Sequence, residues 1–115
     1  MLNSLNRISS NYDYKIVRKY GERFNTELFT MYYLPQRDLS LPSRIGFVVP
    51  NKLCKSAPLR NRVKRVFREV FRLNLAKIAD GYLITVFPGA KSLTCNYEEI
   101  NSEFTKVLQK VPFAR

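Results

Sequence analysis

Residues 58–72, "PLRNRVKRVFREVFR", constrain the fold more than any other stretch of this 115-residue chain. Val63, Val66, Phe67, Val70 and Phe71 recur at the i, i+3, i+4 spacing of an amphipathic helix. At a turn of about 100° per residue they fall in one stripe about 140° wide. Lys64, Arg68, Asn61, Arg72 and Arg65 fill the next arc, about 100° wide at the same rotation. The segment therefore reads as a helix docked by its apolar side, with a cationic ridge on the other. Pro58 suits the first turn, with Ser56 or Ala57 before it, and Gly81 suits a stop. The helix is predicted to run to about Ala79, with Ile78 prolonging the stripe.

The rest of the chain must supply what covers that stripe. Asn11 to Tyr20 reads as a short helix, with Ser10 as its cap, Asp13 three residues on as in a capping box, and Gly21 at its end. Phe24 to Leu34 reads as strand. Its second half is apolar or aromatic on both faces, with Phe29, Met31 and Tyr33 against Leu28, Tyr32 and Leu34. Such a strand is buried on both faces or uses one of them as a binding surface. "PQRDLSLPS" is a loop, Arg44 to Val49 a strand ended by Pro50, and residues 51–57 a basic loop. Tyr82 to Phe87 is a strand. Asn96 caps a last helix, with Glu98 and Glu99 in its first turn and Tyr97, Ile100, Phe104, Val107, Leu108 and Val111 as its apolar stripe. The order helix, strands, helix, strand, helix predicts one α+β domain over residues 1–115, an α/β sandwich with helices packed on a sheet.

Charge narrows the partner. Lys and Arg number 20 against 9 Asp and Glu, a formal +11. Residues 52–77 hold Lys52, Lys55, Arg60, Arg62, Lys64, Arg65, Arg68, Arg72 and Lys77 against Glu69 alone, which is +8 of that total. A solvated helix face normally mixes signs at i,i+4. Arg60 and Arg62 also stand at the positive end of the helix dipole, where a cation costs about 0.3–1 kcal/mol. Arg forks and free N–H groups at a helix start suit phosphate. Five of the nine cations are Arg, which favours structured nucleic acid over an anionic membrane surface.

Catalytic chemistry has no visible home in the chain. It lacks His, and Cys54 and Cys95 stand 41 residues apart, outside any metal-ligand spacing. There is no Gly-rich phosphate loop, and helix-start stabilisation accounts for Glu98 and Glu99. The expectation is no catalytic residue and no metal ligand. No apolar run approaches the roughly 18 residues of a membrane span, and the N-terminal residues lack the apolar centre of a signal peptide. A cytoplasmic protein with ordinary thiols, off the membrane, is expected.

"RNRVKRVFREVFR" resembles the Arg-Asn-Arg signature of the bacterial ribonuclease P protein component. "RIGFVVPNK", "YDYKIVRKYGERF", "LFTMYYL" and "GYLITVFPGA" resemble other segments of that family, so the resemblance spans about residues 5–110. It implies an about four-stranded mixed sheet in which the basic helix joins two parallel strands by a left-handed crossover, against the usual hand. It also implies a catalytic RNA subunit that uses Mg2+ to remove the 5′ leader from precursor tRNA, with no cofactor on the protein alone and no obligate protein partner. By position, Lys52, Arg60, Asn61, Arg62, Lys64, Arg65 and Arg68 would face that RNA, and the ridge adds Arg72. Tyr14 and Tyr32 match aromatic positions of a leader-binding cleft, separate from the ridge; core packing is their other reading. Arg18 stands where an aromatic is common, which would replace stacking by an ionic or cation–π contact. "PN" at 50–51 replaces a small residue and a Lys, so no basic pair is expected at 51–52. The alternative is a ribosomal or RNA-assembly protein with no processing role; a protein-only nuclease lacks its metal ligands.

Overall fold

The computed structural model describes residues 4–114. Its first regular helix, α1 (Asn11–Tyr20), starts where expected: the Ser10 hydroxyl accepts from the Tyr12 amide at 3.2 Å, and the Gly21 N–H closes the last turn on the Val17 carbonyl. Asp13 does not complete a capping box. Its carboxylate pairs with Arg44 at 3.3 Å, which ties α1 to the sheet.

The single strand expected over Phe24–Leu34 is a hairpin. β1 (Glu22–Asn25) turns back into β2 (Phe29–Pro35), and the two pair antiparallel. No Gly or Pro marks the turn; Thr26 makes it. Its hydroxyl accepts from the amides of Leu28 and Phe29 at 3.2 and 3.0 Å, and its own amide donates to the Phe29 carbonyl. A hydroxyl that satisfies two turn amides substitutes for the usual turn residues.

β3 (Arg44–Phe47) and β4 (Tyr82–Pro88) complete a four-stranded mixed sheet in the order β1-β2-β4-β3. β2 and β4 run antiparallel, whereas β3 and β4 are parallel neighbours, so the chain between them must cross over. That crossover is the basic helix α2 (Ala57–Leu73), capped by Ser56 with Pro58 in its first turn. It stops short of the expected Ala79. The Asn74 side chain donates to the Val70 carbonyl at 2.7 Å and to Asn101 at 2.8 Å, capturing the helix end. A 3-10 turn follows at Leu75–Lys77, and Ile78 is buried without being helical. Gly81 is not the helix stop. At φ 95° it makes the turn into β4, a conformation that Cβ-bearing residues rarely adopt. α3 (Tyr97–Leu108) opens with a full capping box between Asn96 and Glu99.

The sheet divides the helices. Phe29 and Met31 of β2, Ile84 and Val86 of β4, and Ile45 and Phe47 of β3 form the main core with α2 and α3. Val63, Phe67, Val70 and Phe71 of the α2 stripe are at most 1% exposed, and Phe71 stacks on Phe104 of α3 with centroids 4.1 Å apart. Burying each such side chain contributes about 1.5–3 kcal/mol, which holds α2 rigidly under its ridge. On the other face, Val17 of α1 closes a smaller cluster with Ile8 and Leu83, against which Tyr14, Tyr32 and Leu34 pack.

Candidate nucleic-acid interface

α2 turns its ridge outward, but its cations are not equivalent. Arg60 is half-buried, and its Nη1 donates to the Cys54 carbonyl at 2.8 Å. Arg62 reaches the carbonyls of Leu93 and Cys95, each at 3.4 Å, and so links α2 to the segment before α3. These bonds give both arginines a structural role; for Arg60, in the first turn, it offsets an unfavourable place in the helix dipole, whereas Arg62, the sixth residue of α2, lies beyond that turn, so the dipole no longer points to a ligand. Arg72 chelates the ridge's one acid, Glu69, through one guanidinium edge, Nε and Nη2 donating to the two carboxylate oxygens. The Arg72 hydrogen bond holds the Glu69 carboxyl below its ordinary range. Lys52, Lys64, Arg65 and Arg68 make no ion pair or hydrogen bond among the described residues, and Asn61 lies exposed beside them. Lys52 sits in the turn after β3, near the start of α2 in sequence.

On the opposite face of the sheet, register decides what the cleft contains. Tyr32 lies opposite Thr85, and Thr85 opposite Gly46. The α1-facing side chains are therefore Tyr32 and Leu34 of β2, Leu83, Thr85 and Phe87 of β4, and Arg44 of β3. Tyr32 meets Phe87 edge to face, with centroids 5.6 Å apart and planes at 82°. The Arg18 guanidinium lies over the same Phe87 ring at 5.6 Å, a cation–π contact. Arg18 and Tyr32 thus come together, as expected, through a residue that sequence reasoning missed. Phe87 ends a predicted strand, and only its register shows that it points into the cleft. Beneath lies Thr85, fully buried, whose hydroxyl has no hydrogen-bond partner among the described residues.

Tyr14 stands differently. Its ring lies against Gly46 of β3, where any Cβ would run into the phenol. It is half-buried, and burial pushes its hydroxyl above the ordinary range while the nearby Arg68 charge opposes that shift. Tyr14 and Arg68 line one small pocket. Ridge and cleft therefore meet at Tyr14: α1 packs on β2 and β4 but lays Tyr14 against Gly46 of the edge strand β3, and Arg68 of α2 lines the same pocket. Tyr14 and Tyr32 both contribute to the small cluster under α1, so packing and exposure coexist in each.

Other features bound the chemistry. Both cysteines are free and buried, and burial with the adjacent Glu99 pushes the Cys95 thiol up. Among the described residues no three Cys, Asp or Glu side chains are grouped to hold a metal ion. No helix there is long and apolar enough to cross a membrane.

Fold and surface together define a class: a small α+β protein with a cationic helix on one side of its sheet and an aromatic cleft on the other. The family model for ribonuclease P matches residues 2–112, and the chain belongs to that family. It is 34% identical over 113 residues to the ribonuclease P protein component of Microcystis aeruginosa, covering 95% of this chain and 92% of that one. The corresponding protein of Natranaerobius thermophilus is 31% identical over 103 residues, covering 90% and 87%. Among solved structures, the Staphylococcus aureus ribonuclease P protein superposes with a TM-score of 0.83 at 25% identity, covering 96% of this chain and 98% of that one. The Thermotoga maritima protein gives 0.80 at 27% identity, covering 91% and 96%. These likenesses support the ribonuclease P reading and not the ribosomal or assembly alternative.

Proposed function

We propose that this chain is the protein subunit of ribonuclease P, a single RNA-binding domain that assists a catalytic RNA in removing the 5′ leader from precursor tRNA. The observation that carries the reading is the row of uncompensated cations, Lys52, Lys64, Arg65 and Arg68, beside exposed Asn61, in a chain of this family. Their role is to hold the catalytic RNA by its phosphates, with Arg60 and Arg62 shaping the ridge and offering their remaining N–H groups. The cleft of Tyr14, Arg18, Tyr32 and Phe87 takes the single-stranded leader by stacking and cation–π contact, each stacked base contributing about 1–3 kcal/mol.

Among the described residues no three carboxylates are grouped to hold a metal ion, and Asp13 is paired with Arg44, Glu69 with Arg72, while Glu99 caps α3. In this reading Mg2+ belongs to the RNA subunit, and this chain's contribution is to position RNA and neutralise its backbone. A cytoplasmic setting without a further protein partner fits this role.

Reconstitution tests the reading. Wild-type protein with its cognate RNA subunit should cut precursor tRNA at the mature 5′ end at Mg2+ concentrations where the RNA alone is slow. RNA-free protein should leave the substrate intact. No stimulation, or cleavage by the protein alone, would overturn it.

A further inference from the structure

The meeting point of ridge and cleft has a chemistry of its own. Arg7, Tyr14 and Arg68 line a pocket of about 60 Å3, floored by Ile45, Gly46 and Phe47. Arg7 comes from the segment before α1, and its backbone is pinned. It bridges Ile45 in parallel fashion, the next amide donates to the Ile45 carbonyl at 3.1 Å, and Asn6 donates to the Ser43 carbonyl at 3.0 Å. Arg68 is fixed from the other side by the buried α2 stripe. Two arginines thus line one pocket from separate elements. Neither has an ion-pair or hydrogen-bond partner among the described residues, and the acid nearest in sequence to Tyr14, Asp13, is occupied by Arg44.

Like charges brought together without a counter-acid call for an anion. The pocket is small, and arginine forks match the geometry of an oxyanion such as phosphate. The donors fit as well: two Arg side chains and a phenol, which is protonated at neutral pH and can donate. We propose that Arg7, Tyr14 and Arg68 form a phosphate pocket that holds one RNA phosphodiester where the ridge passes into the cleft. Such a pocket fixes the path of the RNA backbone between the two surfaces. The proposal rests on the ribonuclease P reading for the source of the phosphate, but not for the pocket's affinity for phosphate.

The test has an RNA-free arm and an RNA arm. In the first, 15N-labelled protein is titrated with inorganic phosphate, chloride replacing it at constant ionic strength. Saturable shifts are expected at the amides of Arg7, Gly46 and Arg68. They should vanish in Arg7→Gln, weaken in Arg7→Lys, which keeps charge but loses the fork, and persist in Arg37→Gln. Shifts no larger than those from chloride, or undiminished in a folded Arg7→Gln protein, would overturn the pocket. In the second arm, Arg7→Gln should flatten a log–log salt slope by roughly 0.7–0.9, the share of one phosphate contact. A flatter slope for binding the RNA subunit identifies its phosphate; one confined to the affinity gained from the leader identifies the leader's. No change in either overturns the RNA role. Failure of the wild-type protein to reconstitute with its RNA would instead refute the ribonuclease P reading, leaving the phosphate titration to decide the pocket alone.

Discussion

Replacing Gly46 by Ala should destabilise the wild-type protein yet stabilise a Tyr14→Ala protein. In the wild type, the new methyl would meet three atoms of one ring, the hydroxyl, its carbon and a neighbouring ring carbon of Tyr14, and nothing else comes closer. The ring must leave its place over β3 or the strand must yield, and overpacking of this kind costs about 1–3 kcal/mol. Once Tyr14 is truncated those three contacts disappear. What is left is the ordinary effect of Gly→Ala at a position whose φ is not in the left-handed region, a gain of about 0.4–1 kcal/mol from a less flexible unfolded chain. The coupling between the two sites should therefore exceed about 1 kcal/mol, within the range seen for side chains in contact. Urea unfolding of the four proteins measures it. Equal penalties for Gly46→Ala in both backgrounds would show that it collides with the backbone or another side chain, and would refute the placement of Tyr14.

Two further expectations concern the surfaces. Tyr32→Leu keeps apolar bulk but removes the edge-to-face partner of Phe87, so holoenzyme affinity for precursor tRNA should fall by about 1–3 kcal/mol with affinity for mature tRNA unchanged; equal losses for both RNAs, in gel-shift or filter binding, would return Tyr32 to the core. Glu69→Gln releases Arg72 from its chelate, so RNA binding should tighten and its salt slope steepen by up to one contact, roughly 0.7–0.9; weaker binding would show that the pair itself positions the ridge.

The sequence exposed what local chemistry encodes. α1 has its boundaries at Ser10 and Gly21 because cap and stop lie beside it in the chain, and Asn96 with Glu99 does the same for α3. The α2 stripe and ridge were legible from periodicity alone. The hairpin at Thr26 was not, because a side-chain hydroxyl replaces the Gly or Pro that would announce it. Nor was the end of α2, since Leu75 and Ile78 keep the apolar spacing while Asn74 ends the helix through a bond to Asn101, far along the chain. Within the site, the composition of the ridge was readable but the use of its members was not. Arg62 is committed to carbonyls at Leu93 and Cys95, and Arg60 to Cys54, contacts that depend on how the loops fold. Phe87 and Arg7 enter the site only through sheet register and the bridge to Ile45, and Tyr14 reaches Arg68 only because both elements flank β3.

The most direct measurement is equilibrium binding of the protein to its cognate RNA subunit across a range of salt, for the wild type and for Arg65→Ala/Arg68→Ala. Both side chains are uncompensated, and neither belongs to the buried stripe, so the double variant should fold with unchanged circular dichroism. Its log–log slope should flatten by roughly 1.4–1.8, the share of two phosphate contacts, and its affinity at low salt should fall. A folded double variant with the wild-type slope and affinity would contradict the assignment of the α2 ridge as the RNA-binding surface.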